Sequence, residues 1–397
     1  MKNTFSLVLL VSVLVLGIVT QGFQCSSAEM TSARLYIQRS DWESARASLE
    51  KELTSNPQNE EAWYLLGRVN AERKDFAAMR EAFDKALSVS KVHEEEILTT
   101  RMSFWSQYFN RGVSYFSRGQ DSSDYYDRAV EAFKTALVIN PDSSSTYKNL
   151  GFTYVGKGDV DAAVEPLQEV LKRENDTQSA KLLGEIYYDE GVRHRNAYQA
   201  LGPENVDSTE HWAAIESFNV AIEYLKKASS WNPDDEEIAS VLMNTYIAAD
   251  QIDLATEEFR RGAARNPKNK VYRYNYGVLL LKEKNYAQAI GEFKEAVQVD
   301  PNYENALYNI GVANVNWGVE MREAAEAAVQ NKPRGTRIDN SYEEKFTTAL
   351  PYFKRVLDLR PDDADLWEQL GRVYANLNVQ AEAKDAFDRA DAIRQGQ

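Results

Sequence analysis

One block of sequence returns along this chain, and a chain built that way folds as a stack of one supersecondary unit. The block "AWYLLGRVNAERKDFAAMREAFDKALSVS" starts at Ala62 and reappears as "TYKNLGFTYVGKGDVDAAVEPLQEVLKREN" from Thr146. It recurs as "YRYNYGVLLLKEKNYAQAIGEFKEAVQVDP" from Tyr272 and as "LWEQLGRVYANLNVQAEAKDAFDRADAIR" from Leu366. Only 10 prolines and 19 glycines occur in 397 residues, which suits a helical chain without low-complexity linkers. The single cysteine excludes an internal disulfide framework and a multi-cysteine zinc site.

These blocks resemble tetratricopeptide repeats, helix-turn-helix units of about 34 residues. The resemblance runs over residues 28–394 and implies an all-α fold, a right-handed α-solenoid of about nine units. In the repeat's own numbering, position 8 is small so that helix A lies close to helix B: Gly67, Gly112, Gly151, Gly184, Gly277, Gly311 and Gly371. Position 20 faces the same contact and is Ala45, Ala129, Ala163, Ala221, Ala255, Ala289, Ala349 and Ala383. Position 24 is large and is expected to reach the next repeat, as Phe83, Phe133, Leu167, Phe259, Phe293, Phe353 and Phe387. Pro57, Pro141, Pro233, Pro267, Pro301 and Pro361 stop helix B, since proline lacks an amide donor and clashes with the preceding turn. Met79 and Met243 stand where the pattern wants a small residue. By these anchors repeats begin near residues 26, 60, 105, 144, 177, 236, 270, 304 and 364, forming one solenoid over 26–397.

Three repeats are interrupted. "VHEEEILTTRM" lengthens the first helix of the third repeat at its start, with Glu94, Glu95 and Glu96 at the positive end of the helix dipole; "QDSSDY" falls in its turn. The fifth gains "VRHRNAYQALGPENVDSTEHWAAIE" and the eighth "VEMREAAEAAVQNKPRGTRIDNSYEE". These read as extended helical hairpins at about 192–216 and 319–344, each projecting roughly 18 Å. In the first, helix A is expected to run to Leu201 before the Gly202–Pro203 stop, with Asp207 and Glu210 opening the return helix. Tyr198, Leu201, Trp212 and Ile215 are expected to close it. The second has a slim stripe of Met321, Ala324, Ala325 and Ala328, a turn at "NKPRGTR", and a capping box from Ser341 to Glu344.

Signal segment, repeats and insertions use the whole chain, and neither a Walker-type phosphate loop nor a hydrolase Ser or Cys motif appears. His194 and His211 are placed to approach each other on one hairpin, but no further ligand stands near them in sequence. We therefore expect no enzyme, no cofactor, no metal and no small-molecule substrate. The balance of 46 basic to 61 acidic residues, net −15, disfavours nucleic acid, whose binding rests on Lys and Arg neutralising phosphates. The family resemblance implies a non-catalytic protein–protein scaffold whose concave groove is lined by helix A positions 2, 5, 6, 9, 12 and 13. Here those include Tyr64, Arg68, Lys148, Asn149, Phe152, Tyr274, Asn275, Lys282, Tyr308, Asn309 and Asn316. Tyrosine supplies contact area at low entropic cost, and an Asn amide pairs with both groups of a peptide backbone. The position-5 set lacks the Lys/Asn/Arg clamp for chaperone tails. An alternative is a structural protein that self-associates through its hairpins.

Residues 1–24 read as a signal peptide or a membrane anchor. Phe5 to Val19 is an uncharged apolar run whose 15 residues span only about 22 Å as a helix, shorter than the ~30 Å hydrocarbon core. Cys25 follows it where a bacterial lipoprotein signal carries its lipidated cysteine, although Gln24 and Gly22 depart from that motif. Lipidation of Cys25, ordinary cleavage after Gly22 and an uncleaved anchor are the three readings. The whole resembles exported tetratricopeptide lipoproteins of bacteria, which implies a place in the cell envelope, periplasm-facing or on the outer membrane, with envelope or secreted proteins as partners.

Overall fold

A computed structural model describes residues 27–201, 209–330 and 337–396. The segment 1–24, Cys25, the Gly202–Pro203 stop, Asp207 and most of "NKPRGTR" lie outside those residues. The described residues form eighteen α-helices and no strand, arranged as nine helix-turn-helix pairs. They fall into two compact units that meet within α8. Up to residue 169 the helices are α1 (Ala28–Gln38), α2 (Trp42–Ser55), α3 (Glu60–Glu72), α4 (Phe76–Val89), α5 (Glu94–Phe116), α6 (Ser123–Ile139), α7 (Ser144–Lys157) and most of α8 (Val160–Leu171). From residue 170 follow α9 (Thr177–Ala200), α10 (Thr209–Trp231), α11 (Glu236–Ala248), α12 (Ile252–Arg265), α13 (Lys270–Lys282) and α14 (Tyr286–Val299). The second unit ends with α15 (Glu304–Val329), α16 (Tyr342–Leu359), α17 (Ala364–Asn376) and α18 (Gln380–Gln395). Within each unit, pairs stack in sequence order as solenoid repeats do.

The helix boundaries follow local chemistry. Helices α2, α6, α10, α12, α14 and α16 each stop two residues before a proline, at Pro57, Pro141, Pro233, Pro267, Pro301 and Pro361. Asp41, Asn59, Asp75, Ser143, Asp176, Asp235, Asn269 and Asp363 cap the helices that follow, each side chain accepting from an amide of the first turn. In the turns of repeats two and seven, Lys74 and Lys284 take the left-handed conformation at φ 60°. The next amide then reaches back to close the end: Asp75 N to Asn70 O at 2.9 Å and Asn285 N to Leu280 O at 2.8 Å.

In seven of the nine pairs a side chain of helix B is seated on a glycine of helix A, a phenylalanine ring in five and a leucine in repeats four and five. A methyl on Gly112, Gly277 or Gly311 would stand 2.6 Å from the ring of Phe133, Phe293 or Phe353, closer than carbon atoms approach. The position-24 side chain thus packs on the glycine of its own repeat and also reaches the next one, as Phe293 does in sharing its core with Ala306 and Ile310. The position-20 alanines from Ala45 to Ala383 are all buried beside these contacts, and Met79 is buried in the same place.

All three lengthened repeats carry a second copy of this contact seven residues further out. Gly119 faces Tyr126, Gly191 faces Phe218 and Gly318 faces Phe346, above Gly112–Phe133, Gly184–Leu225 and Gly311–Phe353 respectively. In the fifth and eighth repeats both glycines lie on one helix, where seven residues are two turns and the same face returns to the same partner; Gly119 lies in the turn after α5. Gly191→Ala would place a methyl 2.7 Å from Phe218 and is expected to cost about 1–3 kcal/mol, read as a lower urea midpoint. Gly291→Ala on α14 meets nothing within 4 Å and is expected to stabilise by about 0.5–1 kcal/mol in the same assay.

Several details of the hairpins differ from expectation. Helix α9 ends at Ala200 with Leu201 as its cap, yet Leu201 is 50% and Trp212 58% exposed, so neither closes the first hairpin. Tyr198 instead packs at a tilt against His211, 4.9 Å between centroids, and His194 Nδ1 pairs with Glu210 at 2.6 Å. Ile215 is half-buried. The two histidines thus have different partners. In the second hairpin α15 is 26 residues long and α16 only 18. The far end of α15 consequently has little cover: Ala324 and Ala328 are exposed, and Met321 and Ala325 half-buried. Ser341 has helical dihedrals and makes no side-chain cap, so its capping box with Glu344 does not form; Asp339 Oδ1 accepts the Ser341 amide at 2.9 Å.

Candidate functional site

The expected groove residues lie on both units. In the first, the Tyr64 ring lies flat on His93, 4.1 Å between centroids, with the Arg68 guanidinium 5.8 Å from the same ring. His93 Nδ1 contacts Glu60 at 2.8 Å. The Lys148 ammonium stands 5.7 Å from Phe152, and Asn149 donates its amide back to Ser145 O at 2.8 Å.

In the second unit, α13 and α15 bring three of the residues together. Asn309 Nδ2 donates to the Tyr274 hydroxyl at 3.1 Å. Tyr274 packs on Phe293 at 5.8 Å, and Tyr308 stands edge-on to Phe353 at 5.8 Å. Each of these tyrosines is thus propped by the ring that fills the glycine contact beneath it. Val278, Leu281, Val312 and Val315 continue the same helix faces as half-buried aliphatics, and Lys282 and Asn316 are exposed beside them. Asn275 is different. It is buried and donates to Val271 O at 2.9 Å, so its amide belongs to the packing rather than to an open wall.

Sequence reasoning missed the support under Tyr274. The Tyr303 ring lies 5.3 Å from it, and the Tyr303 hydroxyl donates to Glu236 Oε2 at 3.3 Å. Lys270 sits 4.4 Å from the Tyr303 ring and pairs with Glu236 at 3.0 Å and Asp300 at 2.9 Å. Glu236, Lys270 and Glu304 are the first residues of three successive helices A, and Glu304 pairs onward with Arg360 at 2.9 Å. The signal was available: alternating charge at one repeat position builds a ladder across stacked helix starts.

Burial pushes the Tyr303 hydroxyl far up, and the nearby Glu236 carboxylate adds to it. Burial likewise raises Tyr274, against the opposing effect of the Asn309 hydrogen bond. Both therefore remain protonated phenols at neutral pH. The Lys270 ammonium, then the Asn302 amide, hold the Asp300 carboxyl below its ordinary 3.8. A depressed folded value gives stability that is full above the unfolded value and lost as pH falls through the folded one. Lys270→Met is expected to cost about 1 kcal/mol or less at pH 7, since the ladder is partly exposed. Urea midpoints of variant and wild type are expected to converge below about pH 4, as Asp300 protonates.

Among the described residues no group of three or more His, Cys, Asp or Glu side chains is placed to hold a metal, and no helix is long and apolar enough to cross a membrane. What α13 and α15 present together is a patch of aromatic rings, aliphatics and one hydrogen-bonded Tyr–Asn pair.

Comparison with known proteins identifies the repeat. Residues 30–91 and 341–397 match one model described as "Tetratricopeptide repeat", residues 216–274 match another, and residues 277–318 match "TPR repeat". Together these cover more than half of the chain. The peroxisomal targeting signal receptor of Saccharomyces cerevisiae is 23% identical over 216 residues, 50% of this chain and 35% of that protein. The BBSome complex member BBS4 of Bos taurus is 21% identical over 287 residues, 72% of this chain and 44% of that protein. The chain thus spans less than half the length of these curated relatives. Among solved structures, MamA from Desulfovibrio magneticus is 18% identical, covering 53% of this chain and 97% of its own, at a TM-score of 0.34.

Proposed function

Because this chain belongs to the tetratricopeptide-repeat family, we propose that it is a non-catalytic scaffold that holds an extended segment of a partner protein against α13 and α15. The observation that carries this is the Tyr274–Asn309 hydrogen bond. With one bond made between them, the pair keeps one donor and one acceptor side by side, whichever way the Asn309 amide is turned. A peptide group offers the complementary C=O and N–H. The Phe293 and Tyr303 rings beside it keep the Tyr274 ring fixed, which lowers the ordering cost of binding. Lys282 and Asn316 stand at the edge of this surface.

The test is site-specific cross-linking. A photoreactive phenylalanine analogue at 282 or 316 is expected to capture partner segments in cells, whereas the same analogue at Lys294, exposed on α14, captures none of them. Equal capture at 294 removes the assignment.

The location belongs to the same proposal. Export through residues 1–24 and a lipid on Cys25 would hold the scaffold at the cell envelope, with envelope or secreted proteins as its partners. Cys25→Ser followed by membrane fractionation decides the lipid: unchanged retention rules it out. A second reading, self-association through the hairpins, is favoured by the exposed Trp212. It expects light scattering to show an oligomer that Trp212→Ser dissociates.

A further inference from the structure

Helix α5 overhangs its neighbours. It has 23 residues where α13 has 13, and the surplus is at its start. One side of this overhang is firmly held. Ile97 is fully buried, Phe104 packs on Phe76 at 5.4 Å, and Arg101 donates to Arg80 O at 3.1 Å and to Asp84 at 2.6 Å. On the other side, cover from the next repeat reaches α5 at Trp105, which donates to Thr146 Oγ1 in the first turn of α7 at 3.0 Å.

The two preceding apolar residues on that side are left open. Leu98 is 53% and Met102 55% exposed. With Trp105 they stand at i, i+4 and i+7, the spacing of a seam that takes another helix. Carboxylates border its start. Glu94 and the exposed Glu95 lie one turn before Leu98, whereas Glu96 falls on the opposite side of α5. Glu94 pairs with Lys91 at 2.8 Å, whereas no ion pair among the described residues engages Glu95. An apolar seam on a rigid overhang, with unneutralised acid at its rim, is complementary to one kind of occupant.

We propose that the start of α5 docks a basic amphipathic helix from a partner protein, laid along Leu98 and Met102 with a Lys or Arg side chain meeting Glu95. The three glutamates of the first turn oppose an anionic lipid surface in the same place. The proposal is independent of the Tyr274–Asn309 surface.

The full chain is titrated with a fluorescein-labelled 18-residue peptide of Leu and Lys, its leucines at i, i+3, i+4 and i+7, and anisotropy is read. Saturable one-to-one binding is expected. Leu98→Ser with Met102→Ser should weaken it at least about tenfold, and Glu95→Gln about twofold with a shallower salt dependence. A shuffled peptide of the same composition without an apolar stripe should bind at least about tenfold more weakly. Tyr274→Ala with Asn309→Ala should leave binding unchanged. Both Ser substitutions are at exposed positions, and an unchanged melting curve confirms that the variant folds. The proposal fails if the wild type does not bind, if the folded Leu98/Met102 variant binds as well, or if the shuffled peptide does, which would reveal attraction by charge alone. It also fails if wild-type light scattering shows a dimer that the Leu98/Met102 variant lacks, for a second copy would then be the occupant.

Discussion

Phe353→Ala is expected to cost about 3–5 kcal/mol, the largest effect of any single substitution considered. Its ring is buried against Gly311, whose missing side chain makes the room it fills, and Tyr308 stands edge-on to it at 5.8 Å. Removing the ring leaves a void between two helices that cannot close over it. One layer out, Phe346 on Gly318 holds α15 and α16 at their present spacing, and Leu366 and Leu370 of α17 hold the other side. The cost of a large-to-small change is greatest where the walls do not relax. Phe353→Leu is expected to lose only about 1 kcal/mol, because repeats four and five already seat Leu167 and Leu225 on their glycines. Urea denaturation checks both. A loss for Phe353→Ala below about 1 kcal/mol would show that the pair collapses freely.

The second large effect is on binding. Tyr274→Ala with Asn309→Ala is expected to weaken partner binding about 10- to 100-fold, roughly 1.4–2.8 kcal/mol. The double variant removes the ring and both peptide-facing polar groups at once. Tyr274→Phe is expected to fall between: it keeps the packing on Phe293 and Tyr303 but loses the hydroxyl that Asn309 supports. Titration with the cross-linked partner measures all three. Melting curves must accompany it, since Tyr274 also packs on Tyr303. Equal affinity for wild type and a folded double variant would place the binding elsewhere.

The fold was legible where a residue acts by steric necessity. Six prolines end the second helix of a pair and seven glycines make room for a large side chain, although Pro166 and Pro351 sit inside α8 and α16. The second glycine–aromatic layer was equally present in the sequence, seven residues beyond the first. Asparagine was harder, because its outcome depends on the preceding repeat. Asn309 faces Tyr274 at position 5 of the repeat before, and the hydroxyl is there to meet it. Asn275 looks back toward Ser240, which is too short, and Asn149 toward Phe109, which has no acceptor. Both turn their amides to their own helix, on Val271 O and Ser145 O. Trp212 and Leu201 were misplaced for a similar reason: helical spacing gives a face, but not which face the neighbour covers. Ser341 failed as a cap because its backbone is helical rather than extended.

The most direct test of the proposed function is amide hydrogen exchange on the full chain with and without the partner captured at 282 or 316. Slower exchange confined to α13 and α15, with α14 and α16 unchanged, is the predicted result. Protection concentrated on α14 and α16, with α13 and α15 as in the free protein, would contradict it.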